Sequence, residues 1–346
     1  MLSSMEGSDR VGQTLLRKYR LERLLGRGGM GIVYAATNLA TGREVAIKVL
    51  GPGAMDASVS RFLDEARAAT AVRHPNVVDV LDLDTAEDGT PFIVMELLRG
   101  ETLRELLDRR KRLGLAEAWT VLRPAMRAIG HAHARGIVHR DIKPENLFLA
   151  DDGHGGRTTK VLDFGIARVG ASQRTAVGTQ LGTPFYMSPE QARGVGVGAT
   201  TDVWAMGIVW FELLTGKLPF ELPRDATAAS VLAIILTARP SSLLYQEVVP
   251  AVVAAVIDRA LSSSPADRPS DMAAFEAALE AALTRGPGRA CAAIGEEPTI
   301  AVQPEPAAAH GRNLRGRGDR RSRPVRHVGS RADGGRRLSA VRVRNG

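Results

Sequence analysis

The amino-acid sequence predicts an α+β protein in two lobes. A small β-rich lobe over residues 19–98 precedes a larger, mainly helical lobe over 99–283, and a tail follows. Three observations carry this reading. Short β-rich runs separated by turn signals fill the first hundred residues. Apolar residues at helical spacing take over near Thr102 and continue to Ala282. Beyond that point the periodicity stops and Gly, Pro, Ala and Arg dominate, a composition that cannot bury enough surface to offset the entropy of ordering.

The elements follow in order. Residues 1–18 read as a flexible N-terminus. The runs I-V-Y-A-A, E-V-A-I-K-V-L and P-F-I-V-M-E read as strands, with T-G-R and E-D-G-T as turns between them. One helix interrupts them, since Phe62, Ala66 and Ala69 recur at i, i+4 and i+7. Within the large lobe, 138–198 reads as loop-rich, and Trp204, Met206 and Trp210 read as core. Residues 284–346 form a Pro/Ala-rich and then Arg-rich tail. Its last 35 residues hold twelve Arg against Asp319 and Asp333, a net +10 in a chain of net +8. The preceding 311 residues therefore sum to −2, and the high isoelectric point belongs to the tail. Such an arm suits nucleic acid or an anionic surface. It also suits a solvated end without function, or a GC-rich gene read out of frame.

Composition excludes several classes. At 44% hydrophobic the chain has material for a core. It has no uninterrupted apolar run of 18 residues to span a membrane and no apolar stretch at the start to direct secretion. One cysteine, Cys291, makes neither a disulfide framework nor a Cys-based metal site and fits a cytoplasmic location. His131 and His133, two apart, face different sides of a helix, which argues against zinc.

Four motifs carry chemistry. G-R-G-G-M-G-I-V-Y places glycines at 26, 28 and 31 ahead of a β-favouring run. Backbone N–H groups in such a loop approach phosphate oxygens without a Cβ in the way. V-A-I-K ends in Lys48, a lysine on an apolar strand that needs an anion, either phosphates under the glycine loop or an acid on the helix. Glu65 shares the inward side of that helix with Phe62 and Ala66 and is the expected partner. H-R-D-I-K-P-E-N projects Asp141, Lys143 and Asn146 from one loop. These supply a proton acceptor, a cation for phosphate charge and an amide oxygen for magnesium. V-L-D-F-G reads as a strand ending in Asp163, a second oxygen ligand, then Phe and Gly.

In this order and spacing, closed by S-P-E at 188–190, the motifs resemble the bacterial branch of the eukaryotic-like serine/threonine protein kinases, over about three-quarters of the chain. The resemblance implies a bilobal fold with ATP in the cleft. Asp141 would be the catalytic base, Asn146 and Asp163 the Mg2+ ligands, with Mn2+ as an alternative ion. Lys48, held by Glu65, would meet the α/β-phosphates, and Lys143 the γ-phosphate. Met95 is similar to the gatekeeper. The Glu96 carbonyl and Leu98 N–H resemble the hinge contacts to adenine, and Leu25, Val33, Ala46 and Phe148 its sandwich. Asp202 matches an acid bracing the 139–141 backbone, and Glu190 with Arg268 a long-range ion pair. Thr183 matches a threonine that packs on the catalytic loop. Thr175 and Thr179 are the candidate phosphosites, because a phosphothreonine gives Arg140 a counter-charge and orders the loop. Activation in trans within a homodimer, and protein substrates with Ser or Thr acceptors, follow from the same resemblance. Serine replaces alanine in S-P-E, and Met30 stands where an aromatic is frequent. A dinucleotide-dependent oxidoreductase would share the glycine motif but need a helix after Gly31. A kinase-like binding scaffold would lack Lys48, Asp141 or Asp163.

Overall fold

Alternation along strands gives the small lobe two apolar layers. The computed structural model describes residues 10–28, 31–51, 56–153, 155–164, 184–223 and 226–285. The strands β1 (Thr14–Leu15), β2 (Tyr19–Gly28), β3 (Gly31–Asn38), β4 (Glu44–Leu50), β5 (Val80–Thr85) and β6 (Pro91–Glu96) form one antiparallel sheet. Its order is β1-β2-β3-β4-β6-β5. In β4, Val45, Ile47 and Val49 face a layer with Tyr19, Leu21, Tyr34 and Phe92, while Ala46 and Leu50 face Phe62 and Ala66 of helix α1 (Asp56–Ala71). Period-2 geometry puts Lys48 on the α1 side with Ala46 and Leu50. Phe62, Ala66 and Ala69 are all buried, as their spacing predicts. The glycine segment joins strand to strand, with Gly28 paired to Gly31. A Cβ on Gly31 would lie 2.3 Å from the Val49 carbonyl oxygen, so no side chain fits there.

The large lobe opens with β7 (Gly100–Thr102), α2 (Leu103–Arg110) and α3 (Leu115–His133). Thr102 and Glu105 close α2 reciprocally at its N-terminus. The hairpin β8 (Leu147–Asp151) and β9 (Arg157–Val161) follows, pairing with β7 in the order β7-β8-β9. Then come α4 (Pro189–Arg193), α5 (Ala199–Thr215), α6 (Ala228–Thr237), α7 (Ala251–Ala260) and α8 (Met272–Arg285). Helix α5 is buried on every side from Thr201 to Leu214, with Trp204, Met206 and Trp210 fully enclosed as expected. Gly207 is where α7 comes against it: a Cβ would meet Ala260 and Leu261 at 3.2 and 3.1 Å.

Two expectations are refined. The stretch 138–198, read as loop-rich, holds β8 and β9. R-T-T-K-V is too short and polar to signal a strand alone and is held by pairing to L-F-L-A-D. Helix α8 continues to Arg285, two residues beyond the expected end at 283, and a basic residue in the last turn suits the negative end of the helix dipole. No helix among the described residues is long and apolar enough to cross a membrane. The tail lies outside the described residues.

Glu190 and Arg268 form the expected bridge, with both charges buried. Arg268 Nη1 and Nη2 donate to the two Glu190 oxygens at 2.7 and 2.9 Å, Nε donates to the Ser262 carbonyl at 2.7 Å, and the guanidinium stacks 4.9 Å over Trp204. Burial alone would raise the Glu190 pKa, but the Arg268 bonds and charge hold it below 4.5. The lowered value means stability that is complete above about pH 4.5 and lost as pH falls through the folded-state value. Arg268→Met is predicted to lower unfolding free energy by about 3–5 kcal/mol, leaving a buried carboxylate without its counter-charge and with the Thr201 hydroxyl as donor. Urea melts across pH should show the gap from wild type narrowing below pH 4.5.

Candidate active site

The loop 139–146 hangs on a buried carboxylate. Asp202, on the first turn of α5 and fully enclosed, accepts the His139 N–H and the Arg140 N–H, both at 2.7 Å. His133 at the end of α3 is a third donor. Its Nδ1 accepts the Met272 N–H at 3.2 Å, so Nε2 carries the proton that it gives to Asp202 Oδ2 at 2.8 Å. Held this way, Arg140 adopts φ +69°, a left-handed conformation that costs a non-glycine residue about 1–3 kcal/mol. Gln191 of α4 secures the far side, donating to the Arg140 carbonyl at 2.9 Å. Burial lowers the Arg140 pKa, and the Asp202 charge partly offsets this. His139 joins two motifs. Its Nδ1 accepts the Asp141 N–H at 3.2 Å, Nε2 donates to the Leu162 carbonyl at 2.9 Å, and its ring lies 4.8 Å from that of Phe164.

On this frame the charged groups converge. Lys143 Nζ lies 2.9 Å from Asp141 Oδ2. Pro144–Asn146 form a single 3-10 turn, which brings the Asn146 amide nitrogen to the Asp141 carbonyl at 2.7 Å and to Asp141 Oδ2 at 3.2 Å. The amide oxygen therefore points away from Asp141. Asp163, expected at a strand end, lies two residues past β9 at φ +44°. Its Oδ2 is 3.0 Å from Lys48 Nζ, the buried end of V-A-I-K. Lys48 thus has an anion at hand. The Glu65 side chain, its expected partner, lies outside the described residues.

The apolar part of the site is also assembled in part. Val33, Ala46, Met95 and Leu98 share one cluster with Leu162, and Ala46 stands opposite Met95 across β4 and β6. Phe148 comes from the other lobe on β8, beside Gly100, whose φ of +138° no side chain would tolerate. Leu25 is half-exposed at the end of β2, near Gly26 and Gly28. Thr175, Thr179 and Thr183 lie outside the described residues.

Sequence reasoning passed over His133, Gln191 and Lys160. Lys160, on β9, donates to Glu96 Oε1 at 2.5 Å, and the same oxygen accepts the Asp79 N–H at 2.9 Å. None of the three sits in a spacing pattern, because each meets its partner across more than fifty residues. Only the H-A-H run at 131–133 was visible, and its two-residue spacing said nothing of Asp202.

Comparison with known proteins agrees with this geometry. Residues 19–281 match the protein kinase domain family. The chain is 41% identical over 218 residues to the serine/threonine-protein kinase pkn3 of Myxococcus xanthus, covering 61% of this chain and 40% of that protein. It is 41% identical over 220 residues to PknA of Mycobacterium tuberculosis and 38% identical over 243 to PrkC of Bacillus subtilis, covering 50% and 36% of those proteins. It thus spans half or less of these relatives' length. The PknI kinase domain of Mycobacterium tuberculosis superposes with a TM-score of 0.62 at 26% identity, over 80% of this chain and all of that one.

Removing the Asp202 carboxylate strands two buried backbone donors and frees a strained turn. Asp202→Ala is predicted to lower stability by about 2–4 kcal/mol. Amide hydrogen exchange at 139 and 140 should quicken by more than about tenfold beyond the global change. Exchange at those amides that merely follows the global change would refute this role.

Proposed function

The chain belongs to the protein kinase domain family, and on that premise we propose that it is a serine/threonine protein kinase. It transfers the γ-phosphoryl group of ATP to Ser or Thr hydroxyls of proteins. The observation that carries this reading is the convergence of Lys48, Asp141, Lys143, Asn146 and Asp163. They come from three separate stretches of backbone into two adjoining ion pairs of 2.9 and 3.0 Å. Names of relatives matched over the domain support the Ser/Thr class.

The divalent ion that this chemistry requires fits the donors present. Asp163 offers a carboxylate and Asn146 an amide oxygen turned away from Asp141, all-oxygen ligands that suit Mg2+ or Mn2+. Such an ion neutralises phosphate charge when bound. Asp141 orients the acceptor hydroxyl and takes its proton. Its carboxylate is fixed for this by Asn146 and, through the backbone, by His139. Lys143, beside that carboxylate, stabilises charge spreading over the transferred phosphoryl oxygens, and Lys48 holds the α/β-phosphates. Val33, Ala46, Met95 and Leu98 form the adenine slot with Leu25 and Phe148, and the Glu96 carbonyl and Leu98 N–H bind the ring edge. Gly26, Gly28 and Gly31 cover the phosphates.

The reading extends to autophosphorylation in trans on Thr175 or Thr179, with Arg140 as the basic group that a phosphothreonine would meet. A transient homodimer and a cytoplasmic location belong to the same proposal.

ATP turnover on a generic basic protein tests it. Asp141→Asn is predicted to lower kcat by about 10²–10⁴-fold with the KM for ATP nearly unchanged. Asp163→Ala should abolish magnesium-dependent nucleotide binding. Intact-mass analysis after ATP incubation should show added phosphate on wild type, and less on Thr175→Ala/Thr179→Ala. Unchanged turnover in Asp141→Asn would end the kinase reading, and an unphosphorylated active wild type would end the autophosphorylation reading.

A further inference from the structure

We propose that Glu96 and Lys160 are a positioning pair that fixes the adenine seat relative to the strand delivering Asp163. This rests on reading 96–98 as that seat. Glu96 ends β6, and its N–H is already committed to the Asp79 carbonyl at 3.0 Å. Its side chain turns to the rear of the cleft. There a single oxygen, Oε1, accepts the Asp79 N–H at 2.9 Å and the Lys160 ammonium at 2.5 Å. The carboxylate therefore ties two strands of different lobes, with the residue that meets adenine as the knot.

Lys160 is as well placed as its partner. It lies on β9 three residues before Asp163, and adjacent Val161 is buried and bridges to Val77. The backbone around it is firmly docked, with Val78 N–H donating to Val161 O at 3.0 Å and Val161 N–H to Asn76 O at 2.8 Å. Asn76 Nδ2 adds bonds to Thr158 and Thr159. A shift of β9 along its axis is resisted by these bonds. A change in its distance from the hinge is resisted by Lys160. Both side chains are mostly covered, at 18% and 23% exposure, so the attraction is less screened than in a surface pair. Beyond them lies a cavity of about 620 Å³ bordered by Arg73, His74 and Asp79. A side chain at 160 consequently borders this cavity rather than packed core.

The test uses the full chain, with titration calorimetry of a magnesium-bound non-hydrolysable ATP analogue beside steady-state kinetics. Lys160→Met is expected to weaken analogue binding and raise the KM for ATP by about five- to tenfold, as loss of one charge-assisted bond predicts. The kcat and the KM for protein substrate should stay within about twofold, the pattern of lost ground-state binding. Lys160→Arg should bind as wild type does. Lys160→Gln repeats the measurement if the methionine variant melts early. Analogue affinity within twofold of wild type in Lys160→Met would overturn the proposal. So would kcat falling in step with affinity, or an arginine variant as weak as the methionine one. If wild type binds the analogue but transfers no phosphate, the kinase reading fails while calorimetry still decides the pair. If wild type binds none, both fail.

Discussion

A carboxylate with no solvent exposure, that of Asp202, sits under the loop 139–146, and the rest of the site depends on how it is satisfied. Burying a charge without partners costs many kcal/mol. Asp202 meets that demand with three N–H donors at 2.7 to 2.8 Å, two from the backbone at 139 and 140 and one from His133. The donors cannot turn away without stranding the acid, so the loop must bend as it does. The left-handed Arg140 follows from that bend, and so does the direction in which Asp141 leaves the turn. Helix α5 is suited to carry such an acid because it is enclosed on all sides by apolar packing.

The parts of the fold legible in the sequence were those with a period. The apolar run in E-V-A-I-K-V-L read as a strand, and both of its faces are buried in the structure, with Lys48 on the one that faces α1. Phe62, Ala66 and Ala69 marked the helix because 3.6-residue spacing leaves a signature in one dimension. Of the β8–β9 hairpin only the strand end before Asp163 was legible, because the start of β9, R-T-T, is polar on paper. It exists through cross-strand bonds to β8 and through Asn76, which sits more than eighty residues earlier.

The same division holds within the site. Asp141, Lys143, Asn146 and Asp163 were readable because their chemistry is packed into two short strings. The Lys48–Asp163 contact was not, because it joins residues 115 positions apart and requires the chain to turn left-handed at Asp163, which no composition rule predicts for an aspartate. Local sequence names these polar groups. What aims them is long-range: Asp202 to His133, Gln191 to Arg140, Glu190 to Arg268.

Those long-range bonds also decide how the lobes are joined. At the front, Lys48 of the small lobe reaches Asp163. At the rear, Asn76, Val78 and Glu96 of the small lobe reach Thr158, Thr159, Lys160 and Val161. Both lines of contact end on one stretch of eight residues, 157–164, which on its other side is tied by His139 to the catalytic loop. This stretch, held at front and rear by the small lobe and on its other side by the large one, leads directly to Asp163. Val161 has no exposed surface and anchors it to the core, so displacement there is unfavourable. The short run from Leu162 to Phe164 follows directly from it. Its one constrained backbone angle is the left-handed φ of Asp163, and its next residue, Phe164, is fully buried against His139. Asp163 therefore stands where contacts from the small lobe, through Lys48, and from the large lobe, through Phe164 against His139, come together.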